Sequence, residues 1–245
     1  MVTEWDADTI RHRVRQLAQA EGTPVSARHI ALVCHDLFAA AGVGILLVAD
    51  DGTMEPVYAT TDAVERMIEL EVTLGEGPAD MAAAGGHAVL VDDLPGQRAR
   101  WPLFTNAAAA AQVRAVLTFP MWADSSTVGA VEIYLAQENR PTAAELHMAW
   151  SFVELLTDQV VAQLDAAAQD THAEFALERF HSRWQAVHQA TGVASVQLRC
   201  GMPEAVLRLR SHAFATDRRL TDVAQDVVDG VLRLTPNEPV DPDLD

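Results

Sequence analysis

The stretch Gly44-Ile45-Leu46-Leu47-Val48 is followed by Asp50-Asp51-Gly52 and then by Glu55 to Thr60, and the class of the sheet depends on it. A short, nearly continuous apolar run reads as a buried strand, the Asp-Gly pair as a tight turn, and the next piece as the returning strand. A hairpin here means that no helix follows the first strand. The order of elements around it then implies an antiparallel sheet and not a doubly wound parallel one, which needs a crossover after each strand.

On the N-terminal side, Thr9 to Ala20 and Val25 to Ala41 have helical spacing, separated by Gly22-Thr23-Pro24, with Ile30, Leu32, Val33, Leu37 and Phe38 on an apolar face. Thr61 or Asp62 suits the cap of a helix reaching about Glu71. After Gly75-Glu76-Gly77-Pro78 come a short helix, a strand over Ala88 to Val91 and a helix over about Leu103 to Gln112. Two strands follow, Ala115 to Trp122 and Val128 to Ala136, joined by the loop Asp124-Ser125-Ser126. A long helical region starts near Thr142 and continues past Leu164; its spacing of threes and fours fits either packing on the sheet or a dimer seam.

The last third reads as one long and two short helices. In Glu174 to Arg199, Phe175, Leu177, Phe180, Trp184, Val187, Thr191, Ala194 and Leu198 supply the apolar side. Pro203 suits a first turn, with Ala205, Val206, Leu209 and Phe214 inward, and Thr221 suits the N-cap of a last helix carrying Val223, Ala224, Val227, Val228 and Val231. The expected fold class is therefore α+β, an antiparallel sheet flanked by helices, followed by a small all-α domain of three helices.

A chain of 245 residues that is 49% hydrophobic has room for one sizeable core and a smaller appended one. The formal net charge of −18 argues against a nucleic-acid partner, but the charge is unevenly distributed. Residues 1–173 hold nine arginines and 24 acids, residues 174–234 eight arginines and seven acids, and residues 235–245 four acids and no arginine. Binding of nucleic acid would thus rest on a few well-placed arginines and not on a general basic field. There is no lysine in the chain, which removes Schiff-base chemistry and the Walker-type phosphate lysine. No run approaches the roughly 20 apolar residues of a membrane helix, and no signal-peptide stretch opens the chain, so a cytoplasmic protein without membrane contact is expected. Cys34 and Cys200 form no framework, and the nine histidines show no ligand spacing, so neither metal nor cofactor is indicated. No catalytic constellation stands out, and the chain is not expected to be an enzyme.

Two resemblances add to this reading. Leu74-Gly75-Glu76-Gly77-Pro78, Asp92-Asp93-Leu94, Trp101-Pro102-Leu103-Phe104, Arg114-Ala115-Val116, Phe119-Pro120-Met121 and Val128-Gly129-Ala130-Val131 with Tyr134, over about Ala27 to Leu164, resemble a GAF domain. Gln189-Ala190-Thr191-Gly192, Met202-Pro203-Glu204-Ala205, Leu209-Arg210 and Arg218 to Ala224, over about Glu174 to Leu234, resemble the ANTAR domain, a three-helix RNA-binding unit of bacterial antitermination regulators. The pair resembles the GAF and ANTAR regulators of actinobacteria. It divides the chain into an N-terminal helical segment, 1–24, a GAF-like sensor, 25–168, an ANTAR-like domain, 174–234, and an acidic Pro-rich tail, 235–245.

The resemblance implies a regulator of transcription antitermination that binds paired RNA hairpins in transcript leaders, as a homodimer, under control of an input at the sensor. Residues left outside the helical core, and so assigned to RNA, are Arg183, Gln189, Arg199, Arg208, Arg210, His212, Arg218 and Arg219. Arginine suits this task because its planar fork pairs with phosphate and stacks on bases. Thr191 stands where the family often has lysine. A small-molecule effector would lie among Tyr58, Trp101, Phe104, Phe119 and Met121. The alternatives are a DNA-binding or protein-interacting regulator using the same tail and, with less support, a phosphoacceptor regulator built on Asp50-Asp51 and Asp92-Asp93.

Overall fold

The computed structural model describes residues 7–49, 52–169 and 178–235, without the side chains of 165–169 and 178–183, and the chain divides into two compact units, Met1–Phe180 and His181–Asp245. Asp50, Asp51, Phe175 and Leu177 therefore lie outside the described residues, as do the side chains of Phe180 and Arg183.

The first unit runs α1 (Ala7–Glu21), α2 (Ala27–Phe38), β1 (Gly42–Val48), β2 (Met54–Ala59), α3 (Asp62–Leu74), α4 (Pro78–Gly85), β3 (Val89–Val91), α5 (Pro102–Ala110), β4 (Ala115–Ala123), β5 (Ser126–Leu135) and α6 (Ala143–Gln169). The strands form one sheet in the order β2-β1-β5-β4-β3, every pairing antiparallel. The expected hairpin is present: β1 pairs with β2, and the N–H of Ala49 donates to Thr53 O at 2.8 Å. Thr61, not Asp62, caps α3, its hydroxyl oxygen accepting from Val64 N while its own hydrogen goes to Ala41 O at 3.2 Å. Capping of this kind satisfies an N–H that has no partner within the helix.

Strand alternation divides the sheet residues between two layers. Val43, Ile45, Leu117, Phe119, Met121, Val131, Ile133 and Leu135 face a core shared with Ile30, Val33 and Cys34 of α2 and Met148, Phe152, Leu156 and Val160 of α6, on which Ile10 and Val14 of α1 also pack. Burial in this core pushes the Cys34 thiol upward, so it stays protonated. The opposite face carries Gly42, Gly44, Val116, Thr118, Ala130, Glu132 and Tyr134 and is covered by α3 and α4. Close approach of α3 depends on the two glycines, since a Cβ on Gly42 would fall 2.6 Å from Val64 Cγ2 and one on Gly44 2.8 Å from Ile68 Cγ2.

The second unit contains α7 (Glu178–Leu198, which starts just before the boundary), α8 (Met202–Ala215) and α9 (Leu220–Val228). Among the described residues its buried apolar side chains are Trp184, Ala186, Val187, Ala190 and Ala194 of α7, Ala205, Leu209 and Ala213 of α8, and Leu220, Val223, Ala224 and Val227 of α9. Thr191 is also buried, its hydroxyl satisfied by donation to Val187 O at 2.7 Å. Beyond α9, Leu234 N donates to Gln197 Oε1 on α7 at 2.9 Å.

Three expectations for this unit are corrected. Arg219, with extended backbone and no capping side chain, is the N-cap of α9, and Thr221 is buried within its first turn. Phe214 is half exposed, because the buried stripe of α8 falls on Ala205, Leu209 and Ala213 and the next residue turns about 100° away from it. Val231 lies past the end of α9 and is exposed.

Candidate functional site

The face of the sheet covered by α3 and α4 holds a closed polar cluster at the corner between these two helices. Gly75, in the left-handed region at φ 65°, ends α3, and Pro78 opens α4 at a position where its missing N–H costs nothing. The last turn of α3 carries Glu71, which is buried and accepts the N–H of Ala79 through Oε1 at 2.7 Å, so it caps α4 from the preceding helix. Gly77 makes room for this contact, since a Cβ there would fall 2.2 Å from Glu71 Oε1.

Below the corner, Glu132 sits opposite Thr118 in the β4–β5 register and two positions before Tyr134. All three are fully buried. Tyr134 donates its hydroxyl to Glu132 Oε2 at 2.5 Å, and Thr118 donates to Glu132 Oε1 at 3.2 Å. Glu71 Oε2, also buried, has no hydrogen-bond donor beside it, and the Glu71 carboxyl interacts with that of Glu132. Two buried carboxyls that interact are accommodated when one of them holds a proton.

The electrostatics follow from that geometry. Burial pushes the Glu71 carboxyl well above its ordinary range, and the charge of Glu132 adds to the shift. Burial also pushes Glu132 up, to about 7, although donation from Tyr134, Glu71 and Thr118 favours its anion and limits the rise. Tyr134 is raised by burial and by the neighbouring Glu132 charge. The cluster can therefore exchange a proton near neutral pH, at Glu132, which an exposed carboxylate does not do.

The same corner is tied to a third helix. Glu76 Oε1 accepts the N–H groups of Leu103 at 2.9 Å and Phe104 at 3.0 Å, capping α5. Neither Glu71 nor Glu132 is among the residues that the sequence marks as functional. The available signal is an acid inside an otherwise apolar strand, Ala130-Val131-Glu132-Ile133-Tyr134.

The aromatic residues expected to line one cavity lie in two places. Phe119 and Met121 belong to the core between the sheet and α6, where Phe119 meets Trp150 edge-on at 5.0 Å, and Tyr58 packs against that core. Trp101 and Phe104 pair edge-on at 6.2 Å at the start of α5, outside that core. Strand parity causes the separation, because odd-numbered positions of β4 point toward α6 and away from α3 and α4.

In the second unit, Arg199, Arg208 and Arg218 are exposed, whereas Arg210, His212 and Arg219 are partly buried. Arg208 pairs with Glu204 at 3.6 Å and Arg218 with Asp226 at 2.7 Å, both at the surface. Gln189 lines an open apolar depression with Gly192, Val193, Val196 and Gln197. Arg183 is on α7, its side chain outside the described residues. Among the described residues no helix is long and apolar enough to cross a membrane, and no three His, Cys, Asp or Glu side chains are grouped to hold a metal.

Comparison with known proteins bears on the first unit. Among solved structures, the chain is similar to the GAF domain of an Acinetobacter phosphoenolpyruvate-protein phosphotransferase, with 13% identity, 66% of this chain and 98% of that one covered, and a TM-score of 0.47. It is also similar to the free methionine-R-sulfoxide reductase of Neisseria meningitidis in complex with its substrate, with 15% identity, coverage of 68% and 97%, and a TM-score of 0.47. The GAF domain of a Coxiella burnetii phosphoenolpyruvate-protein phosphotransferase gives 11% identity, coverage of 67% and 99%, and a TM-score of 0.47. Comparison with curated protein sequences gave no match. The family model for the GAF domain matches residues 27–159, more than half of the chain and the stretch from the first turn of α2 into α6, and the chain belongs to the GAF domain family.

Proposed function

We propose that this chain is a cytoplasmic regulator of transcription antitermination, in which a GAF input controls an ANTAR-like RNA-binding output, and that it has no enzymatic activity of its own. The observation that carries the reading is the placement of Arg199, Arg208 and Arg218 at the surface of a separate helical unit. The sequence landmarks of that unit are those that resemble ANTAR. Its basic and acidic residues nearly balance while the preceding 173 residues are strongly acidic, so phosphate is repelled elsewhere and tolerated here. The surface ion pairs of Arg208 and Arg218 do not count against this role. Exposed pairs contribute roughly 0–1 kcal/mol each, less than a charge-assisted bond to phosphate returns.

In the reading, two chains associate as a homodimer and present two such units to paired hairpins in a transcript leader. Linking two weak modules raises apparent affinity through effective concentration, which makes the output sensitive to geometry. The expected aromatic cavity is not gathered in one place, so the input is assigned to the α3–α4 side of the sheet. Titrating the full chain with a hairpin RNA and with duplex DNA of equal charge tests the output: the RNA is expected to bind at least about tenfold more tightly, and equal or reversed affinities would refute it. Exposure of Val196, Leu207 and Phe214 favours a second reading, a protein-binding output, which predicts weak and equal binding of both nucleic acids.

A further inference from the structure

Two carboxyl groups buried against each other cannot both be ionised without large cost. Glu132 can bear a charge here, because its two oxygens accept from Tyr134, from Thr118 and from a protonated Glu71. Glu71 cannot do so on the same terms. Its Oε1 accepts from Ala79 N and its Oε2 is buried with no donor, so its anion would leave an oxygen unpartnered, whereas a protonated Oε2 can donate to Glu132.

The surroundings offer little relief for a second charge. Asp80 on α4 acts as a further negative charge on both carboxyls. On β5 and β4 the facing groups are the neutral hydroxyls of Tyr134 and Thr118, and on β1 the residue opposite Glu132 is Gly44, which has no side chain.

We propose that the input of this GAF domain is a proton: hydrogen held between Glu71 and Glu132 latches the α3–α4 corner to β5, and its release to solvent frees the corner. The step is a simple ionisation, Glu71 losing its proton to water and becoming a second carboxylate beside Glu132. The proposal deepens the sensor reading above, on which its regulatory meaning rests, while the latch itself rests on the burial of the two carboxyls, the partnerless Glu71 Oε2 and the bonds that hold Glu132 and Ala79.

The connection to the rest of the domain runs through the turn. Glu71 holds the N-terminus of α4 and Glu76, five positions on, holds the N-terminus of α5. Repulsion between Glu71 and Glu132 pushes on the helix that ends at this turn, so both caps are loaded by one ionisation. Glu132 titrates first, because three donors favour its anion, and the latch survives that step. Loss of the remaining proton, from Glu71, comes at higher pH and opens it.

The test uses the full chain without RNA, so a protein that binds no RNA leaves its outcome unaffected. Amide hydrogen exchange, corrected for intrinsic rates, is followed from about pH 6 to about pH 9. Protection at Ala79 and the following amides of α4 is expected to fall at least about tenfold relative to the amides of β5. In Glu71→Gln the amide still accepts from Ala79 and donates to Glu132 without titrating, so α4 is expected to stay protected throughout. Infrared difference spectra of the unmutated chain supply an answer should that variant fail to fold. A buried protonated carboxyl is expected at neutral pH and is expected to disappear over the range in which α4 loses protection. Absence of that band at neutral pH, or α4 protection that does not change up to about pH 9, would overturn the proposal.

Discussion

Tyr134 donates its hydroxyl to Glu132 Oε2 across 2.5 Å, from two positions further along the same strand. Positions i and i+2 share a face of a sheet, so the strand supplies a second donor to a buried acid whose other oxygen accepts from Thr118. Tyr134→Phe removes that donor and is expected to push the Glu132 carboxyl higher still. The loss of stability should be about 1–3 kcal/mol above neutral pH, where Glu132 is charged, and smaller near pH 5. Urea denaturation at the two pH values measures the difference; equal losses would contradict the assigned donor role.

Raised carboxyls also set the sign of the pH dependence. Folding lifts Glu132 from an ordinary 4.5 to about 7, and Glu71 shifts in the same direction, so between these limits the folded state holds more protons than the unfolded one. Stability contributed in this way is greatest below about pH 4.5 and is lost as pH rises through the folded values, by on the order of 3 kcal/mol for Glu132 alone. Denaturation midpoints are expected to fall from pH 5 to pH 8, and Glu132→Gln is expected to flatten the dependence. A profile that rises with pH in the unmutated chain but not in Glu132→Gln would reverse the assignment.

Gly129 sets how closely β5 can approach β1. A Cβ there would lie 2.2 Å from the carbonyl oxygen of Leu46 and 3.1 Å from Leu47 Cα, both backbone atoms that cannot swing aside. Gly129→Ala is expected to cost about 3 kcal/mol or more, at the upper end for overpacking, because two strands must separate. Thermal unfolding gives the value, and a loss below about 1 kcal/mol would mean that the strands adjust freely.

Arg218 and Arg219 flank the entry to α9, where Arg219 serves as N-cap without a capping side chain. Replacing both by Ala is expected to leave helical content unchanged while weakening hairpin RNA binding at least about tenfold. The slope of log affinity against log salt is expected to become shallower by about one for each phosphate that is no longer neutralised. Circular dichroism and a salt titration check the two halves separately. Unchanged RNA affinity would remove these residues from the interface.

Local signals carried much of the architecture. The turn around Gly52, the cap at Thr61 and the breaks at Gly75 to Pro78 and at Asp124 punctuate the chain where its elements end, and the antiparallel order follows from the hairpin. Facing was harder to read. Phe119 and Phe104 are both aromatic and fully buried, and only the pleat of β4 and the position of α5 place them apart. Thr221 is a good capping residue by type, but the helix starts at Leu220 and draws Thr221 inside. The Glu71–Glu132 contact was not legible because it joins a helix end to a distant strand through tertiary packing. Its one local trace, an acid between Val131 and Ile133, does not name its partner.

An RNA-directed output under a GAF input predicts that the protein retains particular transcripts in cells. Crosslinking the protein in cells and sequencing the RNA that it retains measures this. Enrichment of paired hairpins from transcript leaders, abolished by the Arg218 and Arg219 double substitution, is the predicted result. Recovery of no enriched RNA, alongside retention of specific duplex DNA, would contradict it.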